Sequence, residues 1–338
     1  MGTSETKSNQ KNLVLNVAKL IAAYMVVFIH VSFPGKFGTA MVCLARFAVP
    51  FFFIVSGYFS YAKFNQDNIE KIDKKILTTA FLYLESIGLY LLIVLGMLRN
   101  SEKFINWLLA GLNYKGIIKW LFFNKFHNIE LEHLWFIGAL LYCYIFFRIV
   151  YRNIKLIRML PLLLIFNYIF SEWNQLLCLP SFPEYITRNA WFCGIPCFSI
   201  GCIIKEKEKV CIEHFQGKLP FITVAIVEVL ALGEAYIVGV MDLYVFSLVA
   251  AILLFLYCVT CPRQLPKKWR GFADINTGTI YIVHQAVAIY LRVILEKIGL
   301  KYESAILPIL TCIVATIISI VIKISKERVR KLINKVYE

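Results

Sequence analysis

The sequence predicts an all-α, polytopic membrane protein. Composition is the first reason. Of 338 residues, 59% are hydrophobic and only 17% are charged, whereas soluble domains are about half apolar and a quarter charged. Mean hydropathy is +0.70. The second reason is spacing: apolar runs of about 20 residues, the length that crosses a bilayer, recur along the chain. The third is charge placement. The formal net charge is +15, which in a soluble protein would suggest nucleic acid. Here the basic residues gather between apolar runs, so a membrane surface is the expected partner and nucleic acid is not.

Ten spans are expected, over residues 13–33, 41–62, 76–98, 133–151, 157–172, 189–204, 219–238, 243–261, 276–296 and 305–324. The first run lacks a small-residue cleavage site and is taken as a retained span. The fifth contains Pro161 and Asn167, and the short sixth contains Gly194, Pro196 and Gly201. Such residues are tolerated in spans where neighbouring helices satisfy the freed backbone groups. With the N-terminus inside, 24 of the 36 Lys and Arg residues fall in inner segments and nine in outer ones. The remaining three, Lys19, Arg46 and Arg292, lie within spans. This alternation places both termini in the cytoplasm.

The long outer connection, 99–132, carries Trp107 and Trp120 and is expected to form a short interfacial helix. No repeat or appended soluble domain is visible, so residues 1–338 form a single domain, multi-pass in the cytoplasmic membrane. Most of the ten cysteines lie in apolar runs, where they act as small hydrophobes. Cys258 and Cys261 form a lone CxxC without a second ligand pair, so no metal site is expected.

Within this apolar frame a few polar side chains stand out, because ionisable groups are costly in lipid. Lys19 and His30 share the first span, eleven residues or about 16 Å apart along a helix. Lys19 lies toward the cytoplasm, as a functional cation or a snorkelling one. His30 lies toward the outer half. The second span holds Arg46, Pro50, Ser56 and Gly57. A kinked packing helix accounts for Ser56 and Gly57 but poorly for Arg46. His133 and Trp135 open the fourth span beside Glu130 and Glu132. His133 could be a base held by one of these acids, whereas Trp135 also suits an interfacial belt. His284 in the ninth span shares a helical face with Tyr281 and Gln285, eight residues or about 12 Å from the inner end. On this count His30 and His284 lie at different depths. Glu85, Glu228 and Glu234 are candidate partners for Arg46, Lys19 or Arg292.

At these residues the chain resembles the acyltransferase-3 family of membrane O-acyltransferases. The family's first span carries an Arg-x10-His motif with an Asp three residues before the Arg. Here the matching positions are Lys19, His30 and Asn16, so the spacing holds while the arginine and the acid do not. Arg46 through Tyr58 is similar to the family's second span, and His133 to Phe136 matches its His-Leu-Trp-Phe motif. Thr277 to His284 resembles its Ser-x-x-x-Tyr-x-x-His motif, with Thr for Ser. Arg188 through Gly201 is similar to its central Pro- and Gly-containing span. The likeness covers nearly the whole chain. Lysine keeps the charge of arginine but lacks its bidentate fork.

The resemblance implies an acyl-CoA-dependent O-acyltransferase. The donor is expected to be acetyl-CoA, used as a substrate with no cofactor resident in the protein. The acceptor is expected to be a hydroxyl of a cell-surface polysaccharide or a lipid-linked sugar. His30 and Arg46 are the expected catalytic residues. Lys19, His284 and Tyr281 are expected at the CoA end, and His133 and Trp135 at the acceptor end. The alternative function is transport of a small polar solute such as an amino acid, because the family includes a domain linked to amino-acid transport.

Overall fold

The computed structural model describes residues 12–64, 69–180, 182–217, 221–260, 270–299 and 305–337. Lys7, Lys11, Lys218, Arg263, Lys267, Lys268, Lys301 and Cys261, used above in the charge map and the CxxC, lie outside them. Among the described residues the chain is helical and forms no strand. In order, the helices are α1 (Leu13–His30), α2 (Gly35–Leu44), α3 (Ala48–Phe64), α4 (Ile69–Leu98), α5 (Ser101–Gly111), α6 (Tyr114–Phe123), α7 (Trp135–Val150), α8 (Ile154–Met159), α9 (Leu163–Asn167), α10 (Glu184–Thr187), α11 (Ile195–Glu206), α12 (Glu208–Phe215), α13 (Phe221–Val238), α14 (Val245–Thr260), α15 (Arg270–Ala273), α16 (Thr277–Lys297) and α17 (Ile306–Tyr337).

Among the described residues, eight helical segments are long and apolar enough to cross a membrane. They match eight of the ten expected spans. The other two are shorter. The expected span 243–261 is α14, 16 residues long. The expected span 189–204 is a π-turn over Ala190–Gly194 running into the 12-residue α11. Both are lined by buried residues, so neither has to match the bilayer thickness by itself.

Proline sets the breaks. The second span is α2 and α3 joined by a 3-10 turn, Ala45–Phe47. Pro50 has no N–H and its ring crowds the carbonyl four residues back, which is that of Arg46. The helix therefore tightens at the one arginine it contains. Pro161 sits in a similar 3-10 turn, Leu160–Leu162, between α8 and α9.

The centre of the bundle is the α3–α11 crossing, the most extensive helix pair. It depends on two glycines facing each other. A Cβ on Gly57 would lie 1.9 Å from the carbonyl oxygen of Phe198, and one on Gly201 would lie 2.0 Å from that of Ile54. Small residues allow helices in lipid to approach until their backbones touch. Around this crossing α1, α7 and α14 complete the core, and α16 pairs with α17 at one flank.

The 99–132 connection forms a pair of helices, α5 and α6, instead of the single interfacial helix expected. Asn100 caps the first by accepting from the Lys103 N–H, and Asn113 caps the second by accepting from the Gly116 N–H. The pair folds back against α4.

Candidate active site

Three histidines from three separate elements meet at one end of the bundle. His30 is the last residue of α1, His133 lies in the 3-10 segment Ile129–Leu134, and His284 lies in α16. Ring centroids are 5.3 Å apart for His30 and His284, 5.3 Å for His133 and His284, and 6.2 Å for His30 and His133. The depth difference read from the sequence is overturned. Asn276, the N-cap of α16, is level with Asn16 and Lys19 of α1, since these residues line one pocket. The eight residues from Asn276 to His284 rise about 12 Å against about 16 Å for the eleven from Lys19 to His30, a difference small enough for the rings to meet.

The histidines are not equivalent. Nδ1 of His284 bonds the Tyr281 carbonyl at 2.6 Å. A carbonyl only accepts, so Nδ1 carries the proton. Nε2 of neutral His284 is then a buried lone pair with no hydrogen-bond partner among the described residues. His133 is buried, and its ring nitrogens come near the backbone of Ile282 and Glu130 without reaching hydrogen-bond geometry. Neither nearby carboxylate holds it, contrary to one reading of the sequence. Glu130 accepts from Trp107 Nε1 at 3.2 Å, and Glu132 pairs with Lys125 and Arg188. The Tyr281 hydroxyl donates to the His133 carbonyl and fixes its backbone. His30 is the half-buried member, open to the cavities described below.

Beside the histidines lies a charge network that sequence reasoning missed. The partner of Arg46 is Asp242, in the turn before α14, with Nη1 and Oδ1 2.8 Å apart. The glutamates considered as its partners are elsewhere. Glu234 accepts from the N–H groups of Val245 and Phe246, each at 3.1 Å, and so caps α14. Among the described residues Glu85 and Glu228 enter no ion pair. Arg188 joins Asp242 at 3.5 Å and Glu132 at 2.8 Å, contacts Glu184, and stacks 5.7 Å over the Trp135 ring. Burial pushes the Asp242 carboxyl up, but Arg188 and Arg46 outweigh it and hold the pKa below the usual carboxylate range. Burial and Asp242 push Glu184 upward. Buried Glu172 secures the Asp242 turn by accepting from the Leu243 N–H at 3.0 Å. The Arg46 Nε–H is buried with no partner among the described residues. Only one signal in the sequence marked Asp242: it is the sole acid between Glu234 and Asp274.

Two cavities share His30, Arg46, Arg188 and Asp242. One is narrow and reaches in to Trp135, Asn167 and Tyr281. The other is an open vestibule of about 580 Å³ that adds Glu132, Glu184, Asn174 and Gln175. His30 is the only one of the three histidines lining either.

Lys19 is not part of this cluster. It lies about 16 Å along α1, in a separate pocket of about 400 Å³ with Asn16, Asn276, Thr277 and Lys323. Its ammonium sits 5.5 Å over the Phe59 ring. The expected trio of Lys19, His284 and Tyr281 is thus split: Lys19 lies in its own pocket, whereas His284 and Tyr281 lie in the cluster with His30, His133, Arg46 and Trp135.

A family model described as an acyltransferase domain matches residues 12–324. No curated protein matches the chain, and no solved structure does.

Proposed function

The chain belongs to this acyltransferase family, and from that membership in a multi-pass membrane acyltransferase we propose an O-acetyltransferase. It takes acetyl from acetyl-CoA on the Lys19 side of the cytoplasmic membrane and places it on a sugar hydroxyl held in the vestibule. One observation carries the proposal. A histidine backed by a second histidine shares a cavity with Arg46, whose buried Nε–H has no partner among the described residues.

The acceptor hydroxyl gives its proton to His30 as its oxygen bonds to the acetyl carbon. A weakly nucleophilic hydroxyl gains about 10²–10⁴-fold from such a base. Negative charge collects on the carbonyl oxygen, and Arg46, which lines the same cavity, receives it. The carbon–sulfur bond then breaks, and the sulfur leaves as the free CoA thiol with the proton returned by His30. His284 packs beside His30, with ring centroids 5.3 Å apart, and positions that ring through the transfer. His133 and Trp135 shape the acceptor side.

Lys19 and Lys323 are placed for the phosphates of CoA. The neutral Asn16, where the family has an acid, leaves the charge of Lys19 available to an anion. A pantetheine arm is about as long as four extended residues, about 14 Å. That is close to the ~16 Å rise from Lys19 to His30, so phosphates at one end and thioester at the other fit one donor.

The test is transfer of labelled acetyl from acetyl-CoA to membrane glycan by the purified protein in proteoliposomes. Transfer with release of CoA is the expected result. Uptake of a polar solute without CoA release would instead establish a transporter.

A further inference from the structure

A further cavity has the opposite character. It lies between α4 and the α5–α6 pair and has a volume of about 280 Å³. Leu84, Ile87 and Leu91 form one wall, and Trp107, Leu112 and Ile117 form much of the other. The polar atoms around it are turned on one another. Trp107 Nε1 donates to Glu130, Asn128 Nδ2 donates to the Trp107 carbonyl at 3.1 Å, and Trp120 Nε1 donates to the Tyr83 hydroxyl at 2.8 Å. Apart from His127 at its edge, what remains facing the void is hydrocarbon, and such a surface does not hold water. An engineered apolar cavity of about 150 Å³ takes one benzene. This one is nearly twice that size, enough for a single chain segment of about a dozen carbons and too small for two chains side by side.

Depth and continuity indicate the occupant. Leu91 and Leu84 lie seven and fourteen residues below the end of α4, about 10 and 21 Å, so the cavity lies at hydrocarbon depth. Leu84, Leu112 and Ile117 are exposed where they line it, beside exposed Phe81, Leu109 and Leu121. The cavity therefore opens sideways to lipid. At its inner limit is Leu131, whose chain neighbour Glu132 lines the charged vestibule. A single 3-10 segment, Ile129–Leu134, has a hydrocarbon slot on one side and the candidate active site on the other.

We propose that this slot holds the tail of a lipid-linked acceptor, a single-chain polyprenyl phosphate type carrying its sugar into the vestibule. This rests on the acyltransferase reading for the sugar's fate, but the binding of the chain does not depend on transfer. The connection that walls the slot also carries Arg99, Lys103, Lys115 and Lys119, basic residues that suit the phosphate between tail and sugar. A bulk phospholipid has two chains and leaves its headgroup outside.

The experiment is photolabelling of the full-length protein in nanodiscs with a diazirine-bearing polyprenyl phosphate, mapped by peptide mass spectrometry. Labelled peptides should come from 84–91 and 107–131. Labelling should fall at least tenfold in Ile87→Trp and Leu112→Trp, which fill the slot. The exposed-wall variant Ile117→Asn tests the same site without enlarging a packed side chain. Unlabelled polyprenyl phosphate should compete, and equimolar diacyl phosphatidylglycerol should not. Labelling spread over the lipid face, or equal competition by the diacyl lipid, would overturn the proposal. His30→Ala should label as wild type does. Labelling without acetyl transfer in the wild type would therefore count against the acyltransferase reading alone, and transfer without labelling against the slot alone.

Discussion

His30 and His284 lie 5.3 Å apart between ring centroids, although one ends an 18-residue helix and the other is only eight residues into its own. The pair sets two imidazoles side by side. Only His30 reaches the vestibule, while His284 is tied at Nδ1 and contributes its free nitrogen. His30→Ala is expected to lower acetyl transfer by about 10²-fold or more with normal insertion and folding. His284→Ala should also lower it, and His284→Gln, which can still accept a hydrogen bond, should recover part of the loss. If His30→Ala transfers at wild-type rate, the base is elsewhere.

The proposed function gives Arg46 two tasks, pairing with Asp242 and stabilising the oxyanion, that one substitution separates. Arg46→Lys keeps a cation for Asp242 but removes the Nε–H. Thermal stability should change little, while kcat drops by about 10²–10³-fold, the usual cost of losing an oxyanion donor. Arg46→Ala leaves Asp242 facing only Arg188 and should also destabilise the protein, by up to about 3–5 kcal/mol if the pair behaves as a buried one. A lysine variant that keeps full kcat would confine Arg46 to a structural role.

The glycine crossing should be intolerant of a single methyl group. Gly57→Ala or Gly201→Ala places a Cβ within 1.9 or 2.0 Å of a backbone carbonyl oxygen, so α3 and α11 must separate. Overpacking of this kind costs about 1–3 kcal/mol or more. The melting temperature in detergent should fall for both, whereas Gly88→Ala, with open space around its Cβ, should be neutral.

The charge network predicts a pH response with a definite sign. The Asp242 pKa is depressed below its ordinary 3.8, so its contribution to stability is fully present above that value. It is lost only as pH falls through the lower folded value. Glu184 is shifted the other way, so its protonation comes first and relieves an unfavourable charge. Melting temperature should therefore hold between pH 7 and about 5 and fall steeply only below about 3.8. Asp242→Asn should remove that acid-side step. An unchanged profile would mean that the Arg46–Asp242 pair adds nothing to stability.

Lys19→Ala should raise the KM for acetyl-CoA with little change in kcat, and Lys19→Arg should keep it near wild type, because the cation acts on the donor far from the reacting carbon. Isothermal titration with CoA gives a second readout. Unchanged affinity in the alanine variant would leave Lys19 as an anchor over Phe59.

Much of this was readable from the residues. The histidines, Arg46, Tyr281 and Trp135 stood out because polar groups in apolar runs need a reason, and they do converge. Their convergence in depth was not readable. Counting residues from a presumed membrane edge places His284 too far inward, because the starting level of α16 is set by packing against α1 and α17. Asp242, Arg188 and Glu172 were missed for another reason. They lie at helix ends and turns, where an acid or a base is ordinary, and only the tertiary fold brings them to Arg46. The α5–α6 pair was hidden by its short, mixed segments, which satisfy neither a span nor a simple surface helix.

Between the Lys19 pocket and the histidines, α1 presents Ala22, Ala23, Val26 and Val27, all almost completely buried. This tight apolar stretch lies between the Lys19 pocket and the vestibule and shares no residue with either, while Val26 lines the narrow cavity beside His30. A permanent aqueous bore carrying three histidines would leak protons and discharge the membrane potential. A plug here is expected to make the resting protein an electrical insulator. In the proposed reaction, donor passage then requires α1 to part from its neighbours only while the arm fills the gap. Liposomes containing the protein should hold a proton gradient without acetyl-CoA, and Ala23→Ser or Val27→Ser should make them leak.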